Sequence, residues 1–309
     1  MPAAPPTAPP AVEQFLAGFH NRCPGGSARA FGDMPVHDAE GTVHASSYHA
    51  LVAALADAQA PVGQSLPPPA PQAGPTHIPL PEGPVLDLAC GDGHLLALLQ
   101  GATPRRPLLG VDLSRGELAA ARTRLGPAVA LHQARAQALP LADASLAAVA
   151  SHMALMLMAD APQVVAEIAR VLRPGGRLLA LVPRAERPGT ARPPLVQAWV
   201  DALRPEARDT TWQQVRFDGR AWCDSAALPG LLQPAFGPPR LTALDAQTRL
   251  SPDEAWAWFT GMYDLHLLPA PAWPAVQSRF AALLPPLQGT DGRVPLQHAY
   301  LLIDASRAS

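Results

Sequence analysis

Between residues 84 and 183, short apolar runs alternate with helix-patterned runs, and this stretch constrains the fold more than any other. The apolar runs are "PVLDLAC" (84–90), "PLLGVDL" (107–113), "AVALHQA" (128–134), "LAAVASHM" (146–153) and "RLLALVP" (177–183). The runs between them carry helix signals. Ser114 and Glu117 stand at capping-box spacing before a helix over 114–125, and "APQVVAEIARVL" (161–172) stops at "RPGG". Strands separated by helix-length segments build βαβ units, so the region reads as α/β with a parallel sheet.

The remainder divides by composition. Residues 1–60 combine a Gly/Pro/His-rich loop with a helical stretch, "SSYHALVAALADA". Residues 61–83 form a proline-rich linker. Residues 84–183 are the alternating core, and residues 184–309 hold a further insertion, a helix and closing strands. There "QHAYLLIDAS" (297–306) alternates like a strand that "RLTALDAQ" (240–247) pairs with. The start, "MPAAPPTAPPAVEQF", has neither a charged n-region nor an apolar core, and reads as a frayed lead-in.

The first turn, "VLDLACGDGHLLALL" (85–99), defines the ligand question. A strand, a glycine turn and a helix offer backbone N–H groups and a helix dipole to a phosphate. Here Asp87 and Asp92 occupy the turn, and Leu96 stands where a dinucleotide fingerprint has its third glycine. Asp112 ends the next strand, about twenty residues on, where an acid bonds a ribose diol. Carboxylates repel pyrophosphate and attract cations. A nucleoside with no phosphate and a local positive charge satisfies all three acids, and S-adenosyl-L-methionine is such a molecule.

At these residues a family resemblance is plain. "VLDLACGDG" resembles motif I of the class I S-adenosylmethionine-dependent methyltransferases, and "GVDLS" (110–114) their second-strand motif. "ALPLADASLAAV" (138–149) is similar to the segment leading into their fourth strand, and "EIARVLRPGGRLL" (167–179) to the closing helix and strand of the type-11 methyltransferase domain. The resemblance covers residues 84–183. It implies a doubly wound, mostly parallel seven-stranded Rossmann-like sheet, with cap insertions at the N-terminus and after the fifth strand.

The resemblance also implies site roles. Asp87, Ala89, Gly91 and Gly93 form the loop under the methionine part of the cofactor, with Asp92 beside it. Asp112 holds the ribose hydroxyls, Leu113 lies against adenine, and His152 or Met153 approaches the methionine end. Two positions depart from the pattern. Arg135 stands where the family places an acid beside the adenine amino group, and Ala147 replaces a second acid. Guanidinium cannot accept a hydrogen bond, so adenine falls to the backbone of Ala136 or to stacking.

Methyl transfer mainly needs alignment of nucleophile, methyl and leaving sulfur, with water excluded. No fixed catalytic signature follows. His152, His49 and Tyr48 are the candidates, with His37 and His44 in the same N-terminal segment. "SPDEAWAWFTGMYDLHLL" (251–268) sets Trp256, Phe259, Tyr263 and His266 on one helical face, as core or as an aromatic lid.

Composition limits the alternatives. All 23 basic residues are arginine and the net charge is −2, which counts against a nucleic-acid backbone partner. Cys23, Cys90 and Cys223 lack metal-ligand or disulfide spacing, so no metal site is expected and a reducing, cytoplasmic setting fits. No apolar run reaches membrane-span length. The function expected is S-adenosylmethionine-dependent methyl transfer to a small-molecule acceptor. The alternatives are an rRNA base methyltransferase and a cofactor-binding domain without catalysis. Oligomeric state and acceptor atom stay open.

Overall fold

The computed structural model describes residues 11–59, 80–103, 105–185, 190–207, 215, 217, 219–233 and 235–308. Residues 1–10 and most of the proline-rich linker lie outside that set.

Each expected strand of the core is present. They are β3 (Val85–Leu88), β4 (Leu108–Asp112), β5 (Ala130–Gln133), β6 (Leu146–His152) and β7 (Leu172–Pro183). All of their pairings with one another are parallel. β6 is buried along its whole length, because a parallel strand covered on both faces has no wet side. Ala148 and Ala150 face one core cluster and Val149 the other.

The sheet has nine strands instead of seven, in the order β2-β1-β8-β9-β7-β6-β3-β4-β5. The two extra strands come from the Gly/Pro/His-rich segment: β1 (Val36–Asp38) pairs β2 (Val43–His44) and lies antiparallel on β8 (Arg240–Leu250). His37 and His44 sit in this edge hairpin. Their strands span three and two residues, too short for alternation to announce them. β8 pairs antiparallel with β9 (Val294–Ser306), which in turn pairs antiparallel with β7.

The last five residues of the expected frayed lead-in, Ala11–Phe15, are helical. From Ala11 to Arg22 the chain forms α1, burying Val12, Leu16 and Phe19 at helical spacing. Next come α2 (Gly26–Phe31), α3 (Ser47–Gln59), α4 (His94–Ala102), α5 (Arg115–Leu125) and α6 (Ala161–Val171). α6 stops where expected, but Arg173–Gly176 are absorbed into the first turn of β7, with Gly175 at φ 72°.

The insertion and closing elements are α7 (Pro194–Leu203), α8 (Pro252–Thr260) and α9 (Trp273–Leu283). They pack through Trp199, Phe259 and Phe280, with ring centroids 4.8–5.5 Å apart. The aromatic run of 251–268 therefore splits. Phe259 is core in this cluster, whereas Tyr263 packs on Phe217, and His266 on Phe19 of α1, at 4.7 Å.

Strand order reverses at β3, which has β4 on one side and β6 on the other. In doubly wound sheets a crevice opens at the carboxyl ends of such a pair. Close packing beneath that crevice depends on Gly110 in β4. A Cβ there would come within 2.6 Å of Leu131 Cδ2 and 2.9 Å of Cys90 Sγ.

Candidate cofactor site

A cavity lies at that crevice, floored by the β3–α4 turn and the end of β4, and roofed by α1 and α2. Of the residues expected at the site, Asp87, Ala89, Gly91, Asp92, Asp112, Leu113, Arg135, Ala136 and His152 line it. Gly93 and His49 do not. Gly93 caps α4 at φ 78°, where a Cβ would lie 2.7 Å from Leu125 Cδ1; its work is packing α4 on α5. His49 Nδ1 is held 2.8 Å from Ser46 Oγ.

The turn is held open by its own backbone. Gly91 at φ 53° and Gly93 at φ 78° occupy the left-handed region, and so does Ala89 at φ 61°. A non-glycine residue there carries strain of order 1–3 kcal/mol, which such loops tolerate where surroundings over-determine them.

Asp112 braces the turn from β4. Its Oδ2 accepts from Gly91 N at 2.9 Å and its Oδ1 from Ser114 N at 2.8 Å. Each oxygen keeps a lone pair for a further donor. Burial pushes the Asp112 carboxyl above its ordinary range, against the opposing pull of those two N–H donors.

Asp87 is 1% exposed, and its Oδ2 has no hydrogen-bond partner in the protein. Burial, then the neighbouring charges of Asp112 and Asp92, drive its carboxyl well above the usual range. A buried acid with a free acceptor is completed by a cationic donor. Asp92 already has one, because Arg124 pairs with its carboxylate.

The roof carries residues that the family motifs do not include. Glu13 of α1 is 5% exposed and lines the cavity. Arg135 donates to it twice, at 2.6 and 2.9 Å, and Gln137 Nε2 donates at 3.2 Å. A carboxylate of α1 thus lies beside position 135. Nothing in the local sequence announces it, since Glu13 and Arg135 meet only through tertiary packing.

α1 is pinned to α5 by polar contacts. Asn21 Oδ1 accepts from Ser114 Oγ and Gly116 N, both at 2.9 Å. Glu117 sits at capping-box spacing from Ser114, whose Oγ accepts from Glu117 N at 3.2 Å. The Glu117 carboxylate instead accepts from Gly25 N at 2.9 Å and lies 2.9 Å from His20 Nδ1.

At the other end, His152 closes β6. Its Nε2 is 2.9 Å from Ser47 Oγ, and its ring stacks on Tyr48 at 3.6 Å. Burial, with His94 nearby, lowers its pKa to about 3. Burial and the cavity acids push the Tyr48 phenol well up. Both stay neutral near pH 7, so they shape and hydrogen-bond; His152 is a weak base. Among the described residues no group of His, Cys, Asp or Glu is arranged to hold a metal ion, and no described helix is long and apolar enough to cross a membrane.

The parallel Rossmann-like sheet, with a glycine turn and acids on β3 and β4 at its crevice, is the arrangement that the sequence motifs imply. Residues 85–176 match the family model described as a methyltransferase domain.

Among curated proteins, the chain is 40% identical over 129 residues to a malonyl-[acyl-carrier protein] O-methyltransferase of Methylococcus capsulatus, covering 41% of this chain and 44% of that one. It is 41% identical over 100 residues to a ubiquinone/menaquinone biosynthesis C-methyltransferase of Desulfotalea psychrophila, covering 32% and 41%. The chain thus spans less than half the length of these relatives. Among solved structures, the YcgJ protein of Bacillus subtilis shares the fold with a TM-score of 0.50 at 18% identity, over 74% of this chain and 93% of that one.

Proposed function

We propose that this protein transfers a methyl group from S-adenosyl-L-methionine to a small-molecule acceptor. The observation that carries the reading is Asp87, a fully buried carboxyl with an unpartnered oxygen in a cavity where Asp112 braces the turn. The residues present fit the cofactor. Asp87 faces the ammonium-bearing end, Asp112 the ribose hydroxyls, and Leu113 and Ala136 the base. Glu13 supplies the hydrogen-bond acceptor that Arg135 cannot.

When bound, the cofactor supplies a sulfonium-activated methyl carbon. An acceptor's lone pair would attack it, the electrons of the carbon–sulfur bond returning to sulfur. The protein's part is alignment and exclusion of water. α1 roofs the cavity, and His152 and Tyr48 form a neutral wall at its methionine end. Neither has the basicity to take a proton readily at neutral pH, so the acceptor's own acidity governs proton loss.

A small acceptor is favoured by the chain's −2 net charge and by the acyl and quinone methylations for which its relatives are named. Isothermal titration with S-adenosylmethionine and S-adenosylhomocysteine tests the reading. Binding of both in the micromolar range is expected, and no heat with either would sink it.

A further inference from the structure

Buried polar atoms without a protein partner are few in a folded chain. Among the described residues four of six such side-chain atoms gather in one place, the others being Asp87 Oδ2 and Trp222 Nε1. His94 Nε2, His152 Nδ1, His298 Nε2 and Tyr300 Oη are all in this condition, and all four rings belong to one aromatic cluster. Phe31, the last residue of α2, stands in its middle. Its ring centroid is 6.1 Å from His152, 6.0 Å from His298, 6.2 Å from Tyr300 and 6.1 Å from Trp258. Tyr48 joins His152 to His94, with centroids 3.6 and 4.6 Å apart.

The sheet sets this up. Leu181 of β7 pairs with both His152 of β6 and Leu302 of β9. His298 and Tyr300 alternate with Leu302 along β9, so they share its face of the sheet. They project beyond the carboxyl ends of the parallel strands, next to the cavity's methionine end. His152 belongs to both places, as a cavity wall and as part of the ring cluster.

The His298–Tyr300 end of the cluster feels burial and no neighbouring charge, whereas Asp92 and Arg124 act on Tyr48 and His94 at its other end. The hydrogen bonds that tie it to the fold run between Ser47 Oγ and His152 Nε2 and from Trp258 Nε1 to the Ala30 carbonyl. Burial alone lowers His298 to about 4 and pushes the Tyr300 phenol up. An ionised guest would enter with no counter-charge and lose its hydration, whereas a neutral one would meet apolar rings and spare hydrogen-bonding atoms.

We propose that the ring cluster around Phe31 is the acceptor's seat, and that it takes a neutral acceptor with a flat apolar body and a hydroxyl or carbonyl oxygen. His298 and Tyr300 bond that oxygen, and the Phe31 ring holds the body's place until the acceptor arrives. α2 is only six residues long, between Gly25 at φ 75° and Gly32, so its swing releases two hydrogen bonds, Gly25 N to Glu117 and Trp258 Nε1 to the Ala30 carbonyl. This assignment rests on the methyltransferase reading above.

The test is calorimetric titration of the full chain at pH 7 with 2-naphthol and with 2-naphthoate, which has the same rings and an ionised group. Phe31→Leu replaces the flat ring with a smaller, more easily displaced side chain and is expected to bind 2-naphthol at least about five-fold tighter than the unaltered chain, and 2-naphthoate about ten-fold more weakly than 2-naphthol. Adding Tyr300→Phe should cost about five- to ten-fold in 2-naphthol affinity, the value of one hydrogen bond, with the thermal midpoint unchanged or raised.

Equal affinities for the two probes, or no effect of either substitution, overturns the proposal. If Phe31→Leu does not fold, Tyr300→Phe in the otherwise unchanged chain decides. Unchanged 2-naphthol affinity there, or no binding by the unaltered chain at about 1 mM, overturns it as well. S-adenosylhomocysteine is titrated into the same samples. Loss of that binding with 2-naphthol retained refutes the cofactor reading and leaves the seat; the reverse refutes the seat alone.

Discussion

Glu13 and Arg135, separated by most of the first half of the chain, form a two-point ion pair, Oε2 to Nε at 2.6 Å and Oε1 to Nη2 at 2.9 Å. Arg135 therefore presents no free charge to the cavity, and a carboxylate stands there in its place. Because the Arg135 side chain is 37% exposed, solvent screening limits the pair to about 1 kcal/mol. Glu13→Ala should weaken S-adenosylhomocysteine binding about ten-fold, through both the lost acceptor and the exposed guanidinium. The double variant Glu13→Ala, Arg135→Ala should recover part of that loss. Additive effects in a calorimetric double-mutant cycle would show that the pair does not act as a unit.

Asp87 should behave oppositely in stability and in binding. Its raised carboxyl pKa means the folded state holds a proton that the unfolded chain releases above about pH 4. The free protein thus loses stability as pH rises through that window, and Asp87→Asn should match or exceed the parent in urea midpoint at pH 7. The same substitution removes the charge that meets an ammonium group and should cost about 10- to 100-fold in S-adenosylmethionine affinity. A variant both unstable and unaffected in binding would contradict the assignment.

Asp112→Ala strips acceptors from the Gly91 and Ser114 amides. We expect a loss of about 1–3 kcal/mol in stability, together with loss of measurable S-adenosylhomocysteine binding by titration. Asp112→Asn keeps one of the two acceptor oxygens and should recover part of the stability and little of the binding.

Ala89→Gly relieves a side chain at φ 61°. Against the entropy of a freer unfolded chain, the net gain should fall between zero and about 1 kcal/mol. Chemical denaturation measures it, and cofactor affinity should stay within about two-fold because no polar group changes.

Acid should loosen the ring cluster before the rest of the fold. His298 is held neutral at a pKa of about 4, against 6.5 for the free side chain. Between these values the unfolded state binds the extra proton, so stability is present above about pH 6.5 and is lost as pH falls toward 4. His298→Gln should flatten the urea midpoint between pH 6.5 and 4.5 relative to the parent. Parallel profiles would show that His298 is not buried as described.

The alternating core was legible because parallel strands buried on both faces leave unbroken apolar runs, and each helix between them carries caps or a polar face. "VLDLACGDG" and Asp112 were legible as a site for a related reason. A tight turn needs glycine at particular φ values, and the acids lie one strand apart by chain spacing alone. The β1–β2 hairpin gave no such signal, since strands of two or three residues have no period. The aromatic run of 251–268 was ambiguous by nature. Phe259 and Tyr263 share a helical spacing in sequence, yet the helix ends between them, and they pack into different clusters.

By itself, then, the sequence determined the parallel α/β core, the bracing acids of the first two core strands and the chemical class of ligand they suit. Those features depend on residues near one another in the chain, where periodicity and turn chemistry act. Only the tertiary structure decided that Glu13 pairs with Arg135 at the cavity, that α1 roofs it, and that His152, His298 and Tyr300 meet around Phe31. Those partners are brought together by sheet order and helix docking, and no local pattern of residues encodes a contact across such distances.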